Sequence, residues 1–121
     1  MPGVCNIGPA EIARRRRAGY VGLVVTAVVI AAVLVFRAPA YWRLLVFFPA
    51  SIAASGFLQA SMHFCAGFGM AGVFNFKPTP GKTIPVRQAQ DREKDRLKAI
   101  RILMYSVLIG IAVALAAYIL L

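Results

Sequence analysis

Acidic side chains are almost missing from this chain: four in 121 residues, against 14 lysines and arginines. Glu11, Asp91, Glu93 and Asp95 all lie outside the long apolar runs. Proton-coupled transporters keep an ionisable group inside the membrane, so that class is disfavoured, small multidrug exporters included. Histidine is nearly absent too, with His63 alone. A haem held between two histidines is therefore excluded, and no Ser/His/Asp, paired-carboxylate or Cys/His constellation supports an enzyme. Cysteine is limited to Cys5 and Cys65. With His63 they leave zinc one ligand short, at a spacing that matches no metal motif.

What the chain has in abundance is uncharged apolar sequence. It is 60% hydrophobic. Residues 18–36, 44–62 and 102–121 contain no Asp, Glu, Lys, Arg or His. At about 1.5 Å per residue each run spans roughly 30 Å as a helix, the thickness of a bilayer's hydrocarbon core. Backbone in lipid must satisfy its own hydrogen bonds, so helix is the expected form. The fold class predicted is an all-α integral membrane protein with three transmembrane helices. The first run is too long for the apolar core of a signal peptide and reads as an anchor.

The net charge of +10 is distributed as a topology signal and not as a nucleic-acid footprint. Arg14, Arg15, Arg16 and Arg17 abut the first run, and eight more cations, Lys77 to Arg101, lie between the second and third. Only Arg37 and Arg43 occupy the connection between runs one and two. The positive-inside rule places the N-terminus and the long loop in the cytoplasm and the C-terminus outside. Arg14–Arg17 are candidates for contact with anionic lipid or an acidic partner, and no nucleic acid is expected. Both thiols fall on the reducing side and are expected to be free.

Four stretches follow. Residues 1–17 form a basic cytoplasmic head, in which Pro9 and Glu11 mark a helix start that runs into span one. Residues 18–66 form a helical hairpin, its short turn carrying Tyr41 and Trp42 as interface anchors. Pro49 sits near the start of span two, where a missing backbone donor is tolerated. The uncharged stretch then continues to Phe76, too far for one crossing. The helix is expected to stop near residues 63–66, and residues 67–85 form a Gly/Pro-rich interfacial loop and linker with Pro78, Pro80, Gly81 and Pro85. Residues 67–76 are open to a re-entrant turn, an interfacial segment with Phe68, Phe74 and Phe76 in lipid, or a short helix. Residues 86–121 form a charged stalk continuous with span three, about 54 Å long and projecting into the cytoplasm. Arg92/Asp95, Glu93/Arg96 and Asp95/Lys98 are spaced for i,i+3 ion pairs, each worth a few tenths of a kcal/mol.

Within the spans the clearest pattern is small residues at helical spacing. Ser51/Ser55 and Gly56/Ala60 in span two, and Ser106, Gly110 and Ala114 in span three, let helix backbones approach closely. His63 is the candidate cofactor ligand: a neutral imidazole in a membrane helix can hold a haem iron or the magnesium of a chlorophyll-type pigment. Gln59 stands where light-harvesting sequences place a small residue, which weakens the pigment match. Cys65 is the candidate for thiol or sulfur chemistry. Gly67, Gly69 and Gly72 spell G-x-G-x-x-G but follow a membrane helix and not a strand, so no dinucleotide site is read there.

Asn6-Ile7-Gly8, then Glu11, Arg14–Arg17 and Gly19, and later Cys65, Phe68 and Gly72, resemble the motifs of a small bacterial inner-membrane family of two-helix proteins. Its members are sometimes fused to a rhodanese domain. The resemblance covers residues 1–76 and implies a two-helix membrane unit, with a third helix added here. Ala66 stands where the family has proline, and Phe76 where it has a second cysteine, so thiol-pair chemistry lacks one partner. The family brings no defined activity. The functional expectation is a non-catalytic accessory subunit of a larger membrane complex, photosynthetic or respiratory, packed among neighbouring helices, lipids or pigments. No resident cofactor is expected. The basic head and Pro-rich linker, of a composition that stays disordered alone, are expected to be ordered by a partner.

Overall fold

Helix dominates the computed structural model of the chain, which describes residues 3–78 and 82–121. Helix α1 runs from Pro9 to Val35, α2 from Phe47 to Met62, α3 from Ala66 to Ala71 and α4 from Ala89 to Leu120. A 3₁₀ helix, Ala40–Val46, leads directly into α2. Three helical stretches, Pro9–Val35, Ala40–Met62 and Ala89–Leu120, are long and apolar enough to cross a membrane. Large apolar side chains on their outward faces, among them Val24, Val28, Leu103, Met104 and Leu108, are exposed, a surface suited to lipid.

Helix α2 is central and packs against both α1 and α4. Glycine makes the first contact possible. A Cβ on Gly56 would lie 2.5 Å from the Gly19 backbone nitrogen, and one on Gly22 would lie 2.7 Å from that of Ala53. Without a hydrophobic force between helices in lipid, such backbone contact is the main source of association. Against α4, a Cβ on Gly110 would collide with Ser51 Oγ. Ser106, Gly110 and Ala114 are all buried along this seam. Gly56 and Ala60 are buried as well, while Ser51 and Ser55 are half-buried.

Two helices end on left-handed residues that are not glycine. Arg37 closes α1 at φ 52° and His63 closes α2 at φ 53°. At the α2 end the Phe64 N–H donates to Gln59 O at 2.9 Å and the His63 N–H to Ala60 O at 3.4 Å. This double bond pattern satisfies two of the carbonyls a helix end leaves open.

The end of the bundle that holds the α1 start, the α2 end and the α4 start is closed by a cap. Residues 67–76 resolve into the short helix α3 and a strand, β1 (Val73–Phe74), which pairs antiparallel with β2 (Ile84–Pro85). Part of the expected linker is thus ordered sheet; Pro80 and Gly81 lie outside the described residues. Ile7 forms a parallel bridge with Asn75. The helix start expected at Pro9 in the head runs on into the first span, as α1 is continuous from Pro9 to Val35.

Nor does the foot of α4 project freely. It packs on α3, and Asp95 and Ala99 are fully buried. The i,i+3 ion pairs expected there are absent among the described residues. Asp95 turns inward instead and accepts from the Gly3 N–H at 2.8 Å. Arg92 donates to the carbonyls of Val86 and Arg87, and Lys98 to that of Val4. Exposed pairs worth a few tenths of a kcal/mol lose to bonds that close the cap.

Candidate functional site

The chemistry-bearing side chains of the sequence converge in this cap. The turn after α2 carries Cys65 into the position before α3. Asn6 reads its backbone in both directions. The Cys65 N–H donates to Asn6 Oδ1 at 2.6 Å, and Asn6 Nδ2 donates to Cys65 O at 3.0 Å. The Asn6 main chain is held too, its N–H donating to His63 O at 3.2 Å and its carbonyl accepting from the Asn75 N–H at 2.8 Å. Asn6 is completely buried, and Asn75 nearly so. A primary amide has two donors and a carbonyl acceptor, so it can replace a strand partner where the chain has none.

One turn into α1, Glu11 is also fully buried. A buried carboxylate needs compensation, and Arg15 supplies it, Nη1 to Oε2 at 2.9 Å, with Asn75 Nδ2 3.5 Å from Oε1. Spacing of i,i+4 puts both on one helix face. The second arm of the Arg15 guanidinium, Nη2, donates to Cys65 Sγ at 2.8 Å. The plane of charge also lies 5.5 Å from the Phe68 ring centre. Gln59 completes the shell. Its Oε1 accepts from the Ala66 N–H at 2.8 Å, and its Nε2 donates to Ser55 Oγ and O.

Arg15 is therefore separated from its neighbours. Arg14, Arg16 and Arg17 are exposed, whereas Arg15 is committed to Glu11 and Cys65 and is not free for lipid headgroups. His63 lies just beyond α2, not within it, with an exposed side chain. Among the described residues Cys5 and Cys65 form no disulfide; Cys65 is buried and Cys5 half-buried. Tyr41 and Trp42 sit together on the 3₁₀ helix at the opposite end, exposed, with ring centres 6.0 Å apart. Among the described residues no group of three or more His, Cys, Asp or Glu side chains could hold a metal ion.

The order seen in the N-terminal segment has an internal cause. Asn6, Ile7 and Gly8 are buried by the chain's own residues. Sequence reasoning missed Asn75, Gln59 and Glu11 as structural centres, although Glu11 stood out as an acid before a run of arginines. Asp95 was legible only as an ion-pair partner. Burial pushes its carboxyl above the ordinary 3.8, reinforced by Asp91 and opposed by the Gly3 N–H and Lys98. Set beside known protein families, curated proteins and solved structures, the chain matches none.

Proposed function

We propose that the protein is a non-catalytic, multi-pass subunit of a bacterial inner-membrane assembly, with the polar cap in the cytoplasm and Leu121 outside. One observation supports this reading above others. Asn6, Glu11, Arg15, Cys65 and Asn75 are bonded to one another in closing the cap, with Gln59 bonded to the adjoining Ala66, while the outward faces of α1 and α4 are apolar. Polar groups used in this way build a framework, and the apolar faces are what neighbouring helices and lipid accept. The asymmetry of arginine and lysine supports the orientation. Two measurements test it. A reporter fused after Leu121 should be active outside the cytoplasm, and native electrophoresis of mild detergent extracts should show a larger co-migrating species. Free monomer alone would end the subunit reading.

A second reading has one observation in its favour. Arg15 Nη2 lies on Cys65 Sγ, and reactive cysteines sit beside fixed cations. Under this reading Cys65 handles sulfur, and its thiol must react with a small alkylating probe in intact membranes at neutral pH. Complete protection over hours would reject it.

A further inference from the structure

Outside the cap's polar cluster, the foot of α4 carries a row of cations. Lys94, Lys98 and Arg101 follow one another at i, i+4 and i+7, and Tyr105 at i+11 continues the same face. These four side chains, with Met62 at the α2 end and Leu97, line a groove of about 490 Å³. Lys98 is already engaged, bonded to the Val4 carbonyl and lying 5.1 Å from the Phe64 ring centre. Lys94 and Arg101 have no hydrogen bond or ion pair with any other described residue. Like charges this close on a helix repel. Among the described residues no carboxylate lines the groove to offset them.

We propose that this groove is a binding site for the phosphodiester headgroup of an anionic phospholipid. The position selects a lipid over a free anion. Arg101 is the last charged residue before the uncharged run 102–121, so the cations end where the apolar helix begins. Met62, Leu97 and Tyr105 give the groove apolar walls on that side. A phosphate bonded to Lys94 and Arg101 directs its acyl chains along α4, with the tyrosine ring at headgroup depth. This site is distinct from the arginines of α1, and it rests on the membrane reading above.

The test titrates the detergent-solubilised full chain with phosphatidylglycerol and with phosphatidylcholine of matched chains, counting bound lipid by native mass spectrometry. Wild type should hold phosphatidylglycerol at least about tenfold more tightly. The variant K94Q/R101Q should bind it roughly thirty-fold more weakly, two headgroup cations having been removed. K94R/R101K should retain binding. K77Q/K82Q, which removes two exposed charges elsewhere, should stay within about threefold of wild type. Circular dichroism should give all variants the helicity of wild type. Equal losses in K94Q/R101Q and K77Q/K82Q would overturn the site, as would absence of lipid preference. Displacement of the lipid by equimolar inorganic phosphate would assign the groove to a free anion and overturn the lipid. Release of the chain from vesicles by alkaline carbonate would defeat the membrane reading by a separate route.

Discussion

Replacing Asn6 with alanine removes one side chain, strands one backbone group and takes one of two bonds from another. The Cys65 N–H and C=O both bond to the Asn6 amide, and both residues are buried. The stranded Cys65 N–H costs about 1–3 kcal/mol, and the Cys65 C=O, which keeps the Gly69 N–H at 2.9 Å, loses one bond worth about 0.5–1.5 kcal/mol. Some relaxation of the 63–66 turn returns part of this, so the expected loss is about 2–4 kcal/mol, or roughly 30- to 1000-fold in the cap's closing equilibrium. The main-chain bonds of Asn6 to His63 and Asn75 survive, so the segment should open more often without detaching. Two assays read this. In mixed micelles the detergent-induced unfolding midpoint should fall. In a Cys5→Ser background, alkylation of Cys65 should accelerate by the same factor, because a thiol 5% exposed reacts through the open state when closing is fast. An unchanged midpoint with an alkylation rate within threefold of wild type would refute the reasoning. Asn6→Asp keeps the acceptor for the Cys65 N–H but sets a carboxylate oxygen against the Cys65 carbonyl, and should not rescue.

Gly56→Ala should destabilise by at least about 1–3 kcal/mol through overpacking, since its new Cβ meets backbone at 2.5 Å, while Gly67→Ala, with only Cys65 Sγ at 3.8 Å, should be neutral or stabilising; equal midpoints for the two would contradict the α1–α2 contact. Asp95 has a folded pKa raised above its ordinary 3.8, so the native state binds its proton more tightly, and this contribution to stability is full below pH 3.8 and lost as pH rises through the folded value. Asp95→Asn, which keeps an acceptor for the Gly3 N–H, should flatten that slope and match or exceed wild-type stability at pH 7; an unaltered pH profile of unfolding would argue against it. His63→Gly should raise stability by up to about 1 kcal/mol, because glycine adopts the left-handed closing position of α2 without strain, and a lower unfolding midpoint would assign the imidazole a bond of its own.

The three long helices were legible because their signal is local: uncharged runs of bilayer length need no knowledge of what they touch. The stripe Ser106, Gly110 and Ala114 was readable as one helix face, since spacing alone fixes that. Its neighbours were not, and Gly110 meeting Ser51 joins residues 59 positions apart. The cap was illegible for the same reason. Asn6 pairs with Cys65 at a separation of 59 residues, and Gly3 with Asp95 at 92. Strands of two residues show no periodicity, and Pro85 argues against one. The ion pairs inferred from spacing along α4 failed because an isolated-helix rule takes every face as solvated, and Asp95 faces inward. Asn6, Gly8, Glu11, Cys65 and Phe68 converge on the cap, yet their spacing gave no hint of which atoms meet.

This arrangement divides the bundle into two unequal ends. At the capped end four separate segments interlock through buried polar bonds, each with its partner far away in sequence. At the other end the 3₁₀ helix meets α4 through small apolar contacts of Val46 with Ala114 and Ala117, and by one long bond, Arg43 Nη1 to Tyr118 O at 3.4 Å. Polar bonds are directional and fix register, while apolar contacts tolerate sliding. The relative positions of α1, α2 and α4 are thus set at the cap and transmitted along rigid helices. Loosening the cap should displace α4 relative to the hairpin over its whole length, whereas Arg43→Ala should act only near its own end. A bundle built this way presents fixed apolar faces from a single anchored end.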